Sequence, residues 1–110
     1  MISTRDGTTT KVAIYARVSS EEQRENQTIQ TQLETSKKWL ELQELTGTLY
    51  AVHEIYQDDG VSGTIALADR PAGVRLLGDA VAGHFKMVLV YKIDRLGRDP
   101  RDILNTAHRL

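Results

Sequence analysis

Short apolar runs alternate with longer amphipathic ones along this chain, and the order is regular. Lys11–Arg17 (KVAIYAR), Leu49–Tyr56 (LYAVHEIY) and Lys86–Lys92, which contains Met87-Val-Leu-Val-Tyr91, are β-branched and aromatic stretches of strand length. Between the first two, Asn26–Leu45 repeats apolar residues at helical spacing. Ile29, Leu33 and Leu40 fall on one stripe, with Trp39 and Leu42 widening it. Pro71 suits the first turn of a second helix, whose stripe is Val74, Leu77 and Val81. Asp99-Pro100 opens a third, with Ile103, Ala107 and Leu110 in line. Gly47 and Gly83 stand where the first two helices would end. Met1–Thr10 is polar and reads as a flexible arm, and Gln57–Arg70 reads as a polar, glycine-containing loop.

The order β-α-β-α-β-α predicts an α/β fold, an open, mostly parallel sheet flanked by helices and joined by right-handed crossovers. The run at Met87–Tyr91 is the most continuous apolar stretch, so it is expected to be the central strand. The last helix stops in mid-pattern at Leu110. Residues 11–110 are therefore expected to form the N-terminal portion of a domain truncated at its C-terminus.

Composition narrows the function. With 110 residues, 40% hydrophobic and 26% charged, the chain is one globular domain at most. The absence of cysteine excludes disulfides and thiolate metal sites and suggests a reducing, cytoplasmic setting. No apolar run reaches the roughly 18 residues that a membrane span needs. Fourteen Lys and Arg against 15 Asp and Glu give a net charge of −1, unlike a module that holds nucleic acid by bulk electrostatics. Any phosphate chemistry must then rest on a few positioned arginines.

In an open parallel sheet, ligands gather at the carboxyl ends of the strands. Arg17 and Ser19 leave the first strand there, Asp58, Asp59 and Ser62 leave the second, and Asp94, Arg95 and Arg98 leave the third. Arg70, just before the second helix, belongs on the same side. A hydroxyl ringed by guanidinium groups suits a phosphodiester, whose charge the planar forks can clamp bidentately. Taken singly, each residue has a plainer role. Ser19-x-x-Glu22 and Ser20-x-x-Gln23 both fit a helix capping box. Asp59-Gly60 fits a turn, and Gln23 and Gln30 fit polar helix positions. His53, His84 and His108 lie away from the rim loops, against a Ser-His-Asp triad. Two competing functions remain: a phosphate-binding α/β module without catalysis, and a Mg²⁺ nuclease using Asp58, Asp59 and Asp94. Arginines crowding the same rim would repel that cation.

Together, Tyr15-Ala-Arg-Val-Ser-Ser-Glu-Glu-Gln23, Ile29-Gln30, Asp58-Asp-Gly-Val-Ser-Gly-Thr64, Arg70-Pro71 and Val88-Leu-Val-Tyr-Lys-Ile-Asp-Arg-Leu-Gly-Arg-Asp99 resemble the serine recombinase family. The likeness is to resolvase and invertase catalytic domains, and most closely to large serine integrases and transposases. It implies Ser19 as the nucleophile, with Ser20 beside it, and Arg17, Arg70, Arg95, Arg98 and Asp94 as active-site residues. Tyr15, Gln23, Gln30, Asp58 and Ser62 are implied as supporting residues, Asp58 being preferred to Asp59 by its distance from the preceding strand. The resemblance further implies attack on double-stranded DNA through a 5′-phosphoserine intermediate, with religation after strand exchange and no metal, ATP or other cofactor. Asp58, Asp94 or an arginine-lowered hydroxyl pKa could each account for deprotonation of the serine. A homodimer or tetramer in a full-length protein, encoded by a bacterium, archaeon or phage, is implied as well.

Overall fold

The computed structural model describes residues 9–20 and 28–91. Residues 1–8 of the expected arm, Gln23, Asp94, Arg95, Arg98 and the expected third helix lie outside the described residues. Within them run β1 (Thr10–Val18), α1 (Ile29–Leu45), β2 (Tyr50–Asp59), a short 3₁₀ turn (Leu67–Asp69), α2 (Pro71–Val81) and β3 (Met87–Val90). Thr28 caps α1, its Oγ1 accepting from the Thr31 amide at 3.2 Å. Pro71 opens α2 as expected. Both helices close at their expected glycines, through Gly47 N–H to Glu44 C=O and Gly83 N–H to Ala80 C=O.

All described strand pairs are parallel, in the order β2-β1-β3. Among the described strands the central one is thus β1, not the run at Met87–Tyr91 as expected. The reason lies in the crossovers: α1 carries the chain from β1 to β2 on one side, and α2 carries it back past β1 to β3. Hydrogen-bonded at both edges, β1 is buried from Val12 through Val18, whereas β3 is only half-buried and, among the described residues, pairs with Val12–Tyr15. An apolar run of this length cannot by itself report how many neighbours its strand has.

The helix faces also differ from the simplest apolar stripes. Ala72, Gly73, Leu76 and Leu77 of α2 are buried against a core containing Ala13, Tyr15, Tyr56, Leu67 and Phe85. Val74 and Val81 are 53% and 76% exposed, so of the expected stripe only Leu77 faces inward. Close approach of the 3₁₀ turn explains the rotation: a Cβ on Gly73 would sit 2.0 Å from the Leu67 carbonyl oxygen, so only glycine fits there. In α1 the buried residues are Gln32 and Ser36, while Ile29, Leu33 and Leu40 are half-buried and Trp39 and Leu42 are exposed. Trp39 instead leans on the Tyr50 ring, 5.4 Å between centroids. Pairing of Ala16, Arg17 and Val18 with Gln57, Asp58 and Asp59 extends β2 to Asp59, so Asp58 lies in a strand and not in the loop expected from Gln57 onward.

Candidate active site

Side chains two apart on a strand share a face, and parallel pairing carries that face to the neighbour. Tyr15 lies opposite Tyr56 and Arg17 opposite Asp58, which brings Tyr15, Arg17 and Asp58 onto the α2 side at the carboxyl end of the sheet. Asp58 is 2% exposed, and both carboxylate oxygens are engaged. Oδ1 accepts from the Ala72 amide at 2.8 Å, and Oδ2 accepts from the Gly73 amide at 3.2 Å and the Tyr15 hydroxyl at 2.8 Å. A carboxylate from β2 therefore anchors the first turn of α2, where unpaired amides and the helix dipole favour negative charge.

Arg70 immediately precedes that turn and is fully buried. Its Nη1 donates to the Tyr15 hydroxyl at 3.0 Å, its Nε to the Ile65 carbonyl at 2.9 Å and its Nη2 to the Gly63 carbonyl at 3.4 Å. Tyr15 consequently links Arg70 to Asp58. Burial pushes the Tyr15 phenol above its ordinary pKa, against the opposing pull of Arg70, so the phenol keeps its proton and stays a donor to Asp58. Arg17, also fully buried, donates from Nη1 to the Val61 carbonyl at 2.8 Å. The two guanidinium groups thus grip one segment, residues 61–65, by its carbonyl oxygens.

That segment folds over the end of β1. Gly60, at φ +78°, makes the turn, and the Gly60 and Val61 amides both donate to the Val18 carbonyl, at 2.6 and 3.1 Å. Ser19 is the next residue of β1's chain and is half-buried; Ser20 is exposed. Ser62 stabilises the loop, its Oγ 2.8 Å from Thr64 Oγ1 and accepting from the Thr64 amide at 3.1 Å. Asp59 is exposed. Tyr15, Arg17, Asp58 and Arg70 therefore form one connected group, with Ser19 and Ser62 on the chain segments that border it. Gln23, Asp94, Arg95 and Arg98 fall outside the described residues.

Gln30 is not brought into this group. It is exposed and donates to Glu34 at 3.1 Å. The glutamine at the site is Gln32, 1% exposed, whose Oε1 accepts from the Arg17 amide at 3.1 Å and whose Nε2 donates to the Arg17 carbonyl at 2.8 Å. The described β1–β3 pairing ends at Tyr15, and the Gln32 amide supplies the donor and acceptor that a neighbouring strand would have offered Arg17. The signal was present in the spacing. Gln32 and Ser36 stand three and seven residues after Ile29, inside the apolar stripe, where a polar residue must find a buried partner. Gln32→Leu keeps the volume but strands both backbone groups, and is expected to cost about 2–4 kcal/mol in urea unfolding. A loss below about 0.5 kcal/mol would show that the amide does not hold the end of β1.

Chemically, the group offers guanidinium donors beside a helix N-terminus, with its buried carboxylate already committed to three donors. Such a donor set suits an anion. Asp58 has little left to give a cation, which removes one of the three ligands that a Mg²⁺ site here would need.

Comparison with known proteins bears on the family and the fold. Residues 12–110 match the family model described as the resolvase N-terminal domain. The chain is 38% identical over 53 residues to the transposon Tn2501 resolvase of Escherichia coli, a match covering 48% of this chain and 26% of that protein. It also superposes on the crystal structure of the N-terminal catalytic domain of TP901-1 integrase, with a TM-score of 0.68 and 40% identity, covering 86% of this chain and 63% of that one.

Proposed function

The chain belongs to the serine recombinase family through its resolvase N-terminal domain, and from that premise we propose that it supplies the catalytic core for cutting and rejoining DNA at a recombination site. Ser19 is the nucleophile. Its Oγ forms a bond to a DNA phosphorus as the bond from phosphorus to the 3′-oxygen breaks, and the serine proton passes, directly or through water, to the departing 3′-oxygen. The product is a 5′-phosphoserine link and a free 3′-hydroxyl. Because the phosphoester is conserved in the link, attack by a 3′-hydroxyl reverses the step without ATP.

Arg17 and Arg70 act on the non-bridging oxygens, where charge accumulates in the transition state. Arg95, Arg98 and Asp94 of the family motif complete the set. Tyr15 and Asp58 are positioning residues: Asp58 holds the start of α2, and Tyr15 ties Arg70 to it. Since both Asp58 oxygens already accept hydrogen bonds, lowering of the serine pKa by the arginines is the better account of its activation than proton removal by Asp58.

The observation that carries this reading is the convergence of Arg17 and Arg70 on the loop that turns over the residue before Ser19. The test is a denaturing gel that resolves a covalent protein–DNA adduct on a substrate containing the recombination site. The adduct is expected to form equally well with EDTA present. Cleavage that chelation abolishes, and that leaves no adduct, would favour a metal nuclease and overturn the proposal. Among the described residues no helix is long and apolar enough to cross a membrane.

A further inference from the structure

At the opposite end of the sheet from Ser19 the structure gathers a second set of polar side chains that the proposed reaction does not use. His53 and Glu54 come from the start of β2, Asp79 from the last turns of α2, and His84 from the connection to β3. We propose that His53, Glu54 and Asp79 form a binding site for a divalent transition-metal ion of the zinc class.

The backbone supplies the first argument. Val12 pairs with Val52 and Ala13 with Glu54, so His53 is the extra residue of a β-bulge. Adjacent residues of a regular strand point to opposite faces, whereas a bulge re-aims a side chain. Here it brings both neighbours to the α2 side: one donor atom each from His53, Glu54 and Asp79 lies within 4.8 Å of the others. Modest side-chain rotations would close such a triangle to the ~2.0–2.2 Å bonds that zinc makes to imidazole nitrogen and carboxylate oxygen.

The surroundings supply the second. The Tyr56 hydroxyl donates to Asp79 Oδ2 at 2.5 Å, fixing that carboxylate as hydrogen-bond donors behind a metal site orient its ligands. The His84 ring stacks on His53, 5.1 Å between centroids and 11° between planes, and Phe85 flanks it at 6.1 Å, so the imidazole is held in orientation. Glu54 is paired with Arg75, but both side chains are substantially exposed, 40% and 56%, and such a pair yields readily to a stronger cation. One imidazole and two carboxylates suit zinc, cobalt or nickel better than magnesium, which favours oxygen alone. Three protein ligands leave a coordination position for water. The ion would clamp β2 to α2, making it a structural fastener for the face that carries Asp58 and Arg70.

Titration of untagged protein with Co²⁺, followed by visible absorption, and with Zn²⁺, followed by calorimetry, tests the site. One saturable equivalent of each ion is expected, and Zn²⁺ should raise the unfolding temperature. His53→Ala, Glu54→Gln and Asp79→Asn should each weaken binding by about 100-fold or more, and Tyr56→Phe by roughly 10–100-fold, with circular dichroism verifying that each variant is folded. Absence of stoichiometric binding, or an affinity unchanged in both Glu54→Gln and His53→Ala, would overturn the proposal. So would binding that depends on His84 but not on His53.

Discussion

Ser19→Ala is expected to abolish covalent attachment of the protein to DNA while leaving DNA binding nearly intact. The hydroxyl is the only atom of this side chain that can bond to phosphorus, so its removal deletes the step and does not merely slow it. Loss of a nucleophile from an enzyme that works through a covalent intermediate typically lowers turnover by roughly a million-fold. The arginine group should survive the change, because carbonyls of residues 61–65 hold Arg17 and Arg70, and Tyr15 holds Arg70 as well. The control is Ser20→Ala. Ser20 is exposed and its sequence context fits a helix cap, so its replacement should cost about 1 kcal/mol at most and leave the adduct in place. Adduct formation that withstands Ser19→Ala but fails with Ser20→Ala would move the nucleophile by one residue.

The second large effect is expected from Arg70→Lys. Charge is conserved, but the geometry is not: Arg70 uses Nε and Nη2 toward two loop carbonyls and Nη1 toward the Tyr15 hydroxyl of β1. A single ammonium cannot span Ile65, Gly63 and Tyr15 at once. Removing one hydrogen-bond donor from the transition state should lower cleavage by about 10²–10³-fold. Because Arg70 is fully buried, its replacement also leaves loop carbonyls short of a donor, and stability should drop by about 1–3 kcal/mol. The two consequences separate by pairing the assay with Tyr15→Phe. That variant removes the hydroxyl that joins Arg70 to Asp58 but keeps the guanidinium, so it should destabilise without matching the loss in cleavage. Near-normal adduct formation by a folded Arg70→Lys protein would assign Arg70 a structural role alone.

Much of this molecule was legible in the order of its residues. Strand-length apolar runs, Pro71 at a helix start and Gly47 and Gly83 at helix ends are local signals, and local signals survive because backbone preferences act over a few residues. The alternation of the two periods left a parallel α/β sheet as the natural arrangement, and the Tyr15–Gln23 and Val88–Asp99 motifs, in that order, carried the family. The sequence also favoured Asp58 over Asp59, and pairing opposite Arg17 turns Asp58 inward while Asp59 faces solvent.

Other features were decided only when elements met. Which of the described strands lies in the middle depends on the sides over which two helices cross, and no single run encodes that. Which helix face is buried depends on what it meets: Gly73 must pass the Leu67 carbonyl, so α2 turns Ala72 and Leu76 inward and leaves Val74 in water. The choice of Gln32 over Gln30 follows from where the described β1–β3 pairing stops, because the Arg17 amide and carbonyl beyond it needed a partner and Gln32, not Gln30, faces them. Likewise, the sequence could name Arg17 and Arg70 but not show that a loop's carbonyls hold both of them. Residues distant in sequence become one site only through packing, where an unpaired buried polar group costs too much to leave unmet.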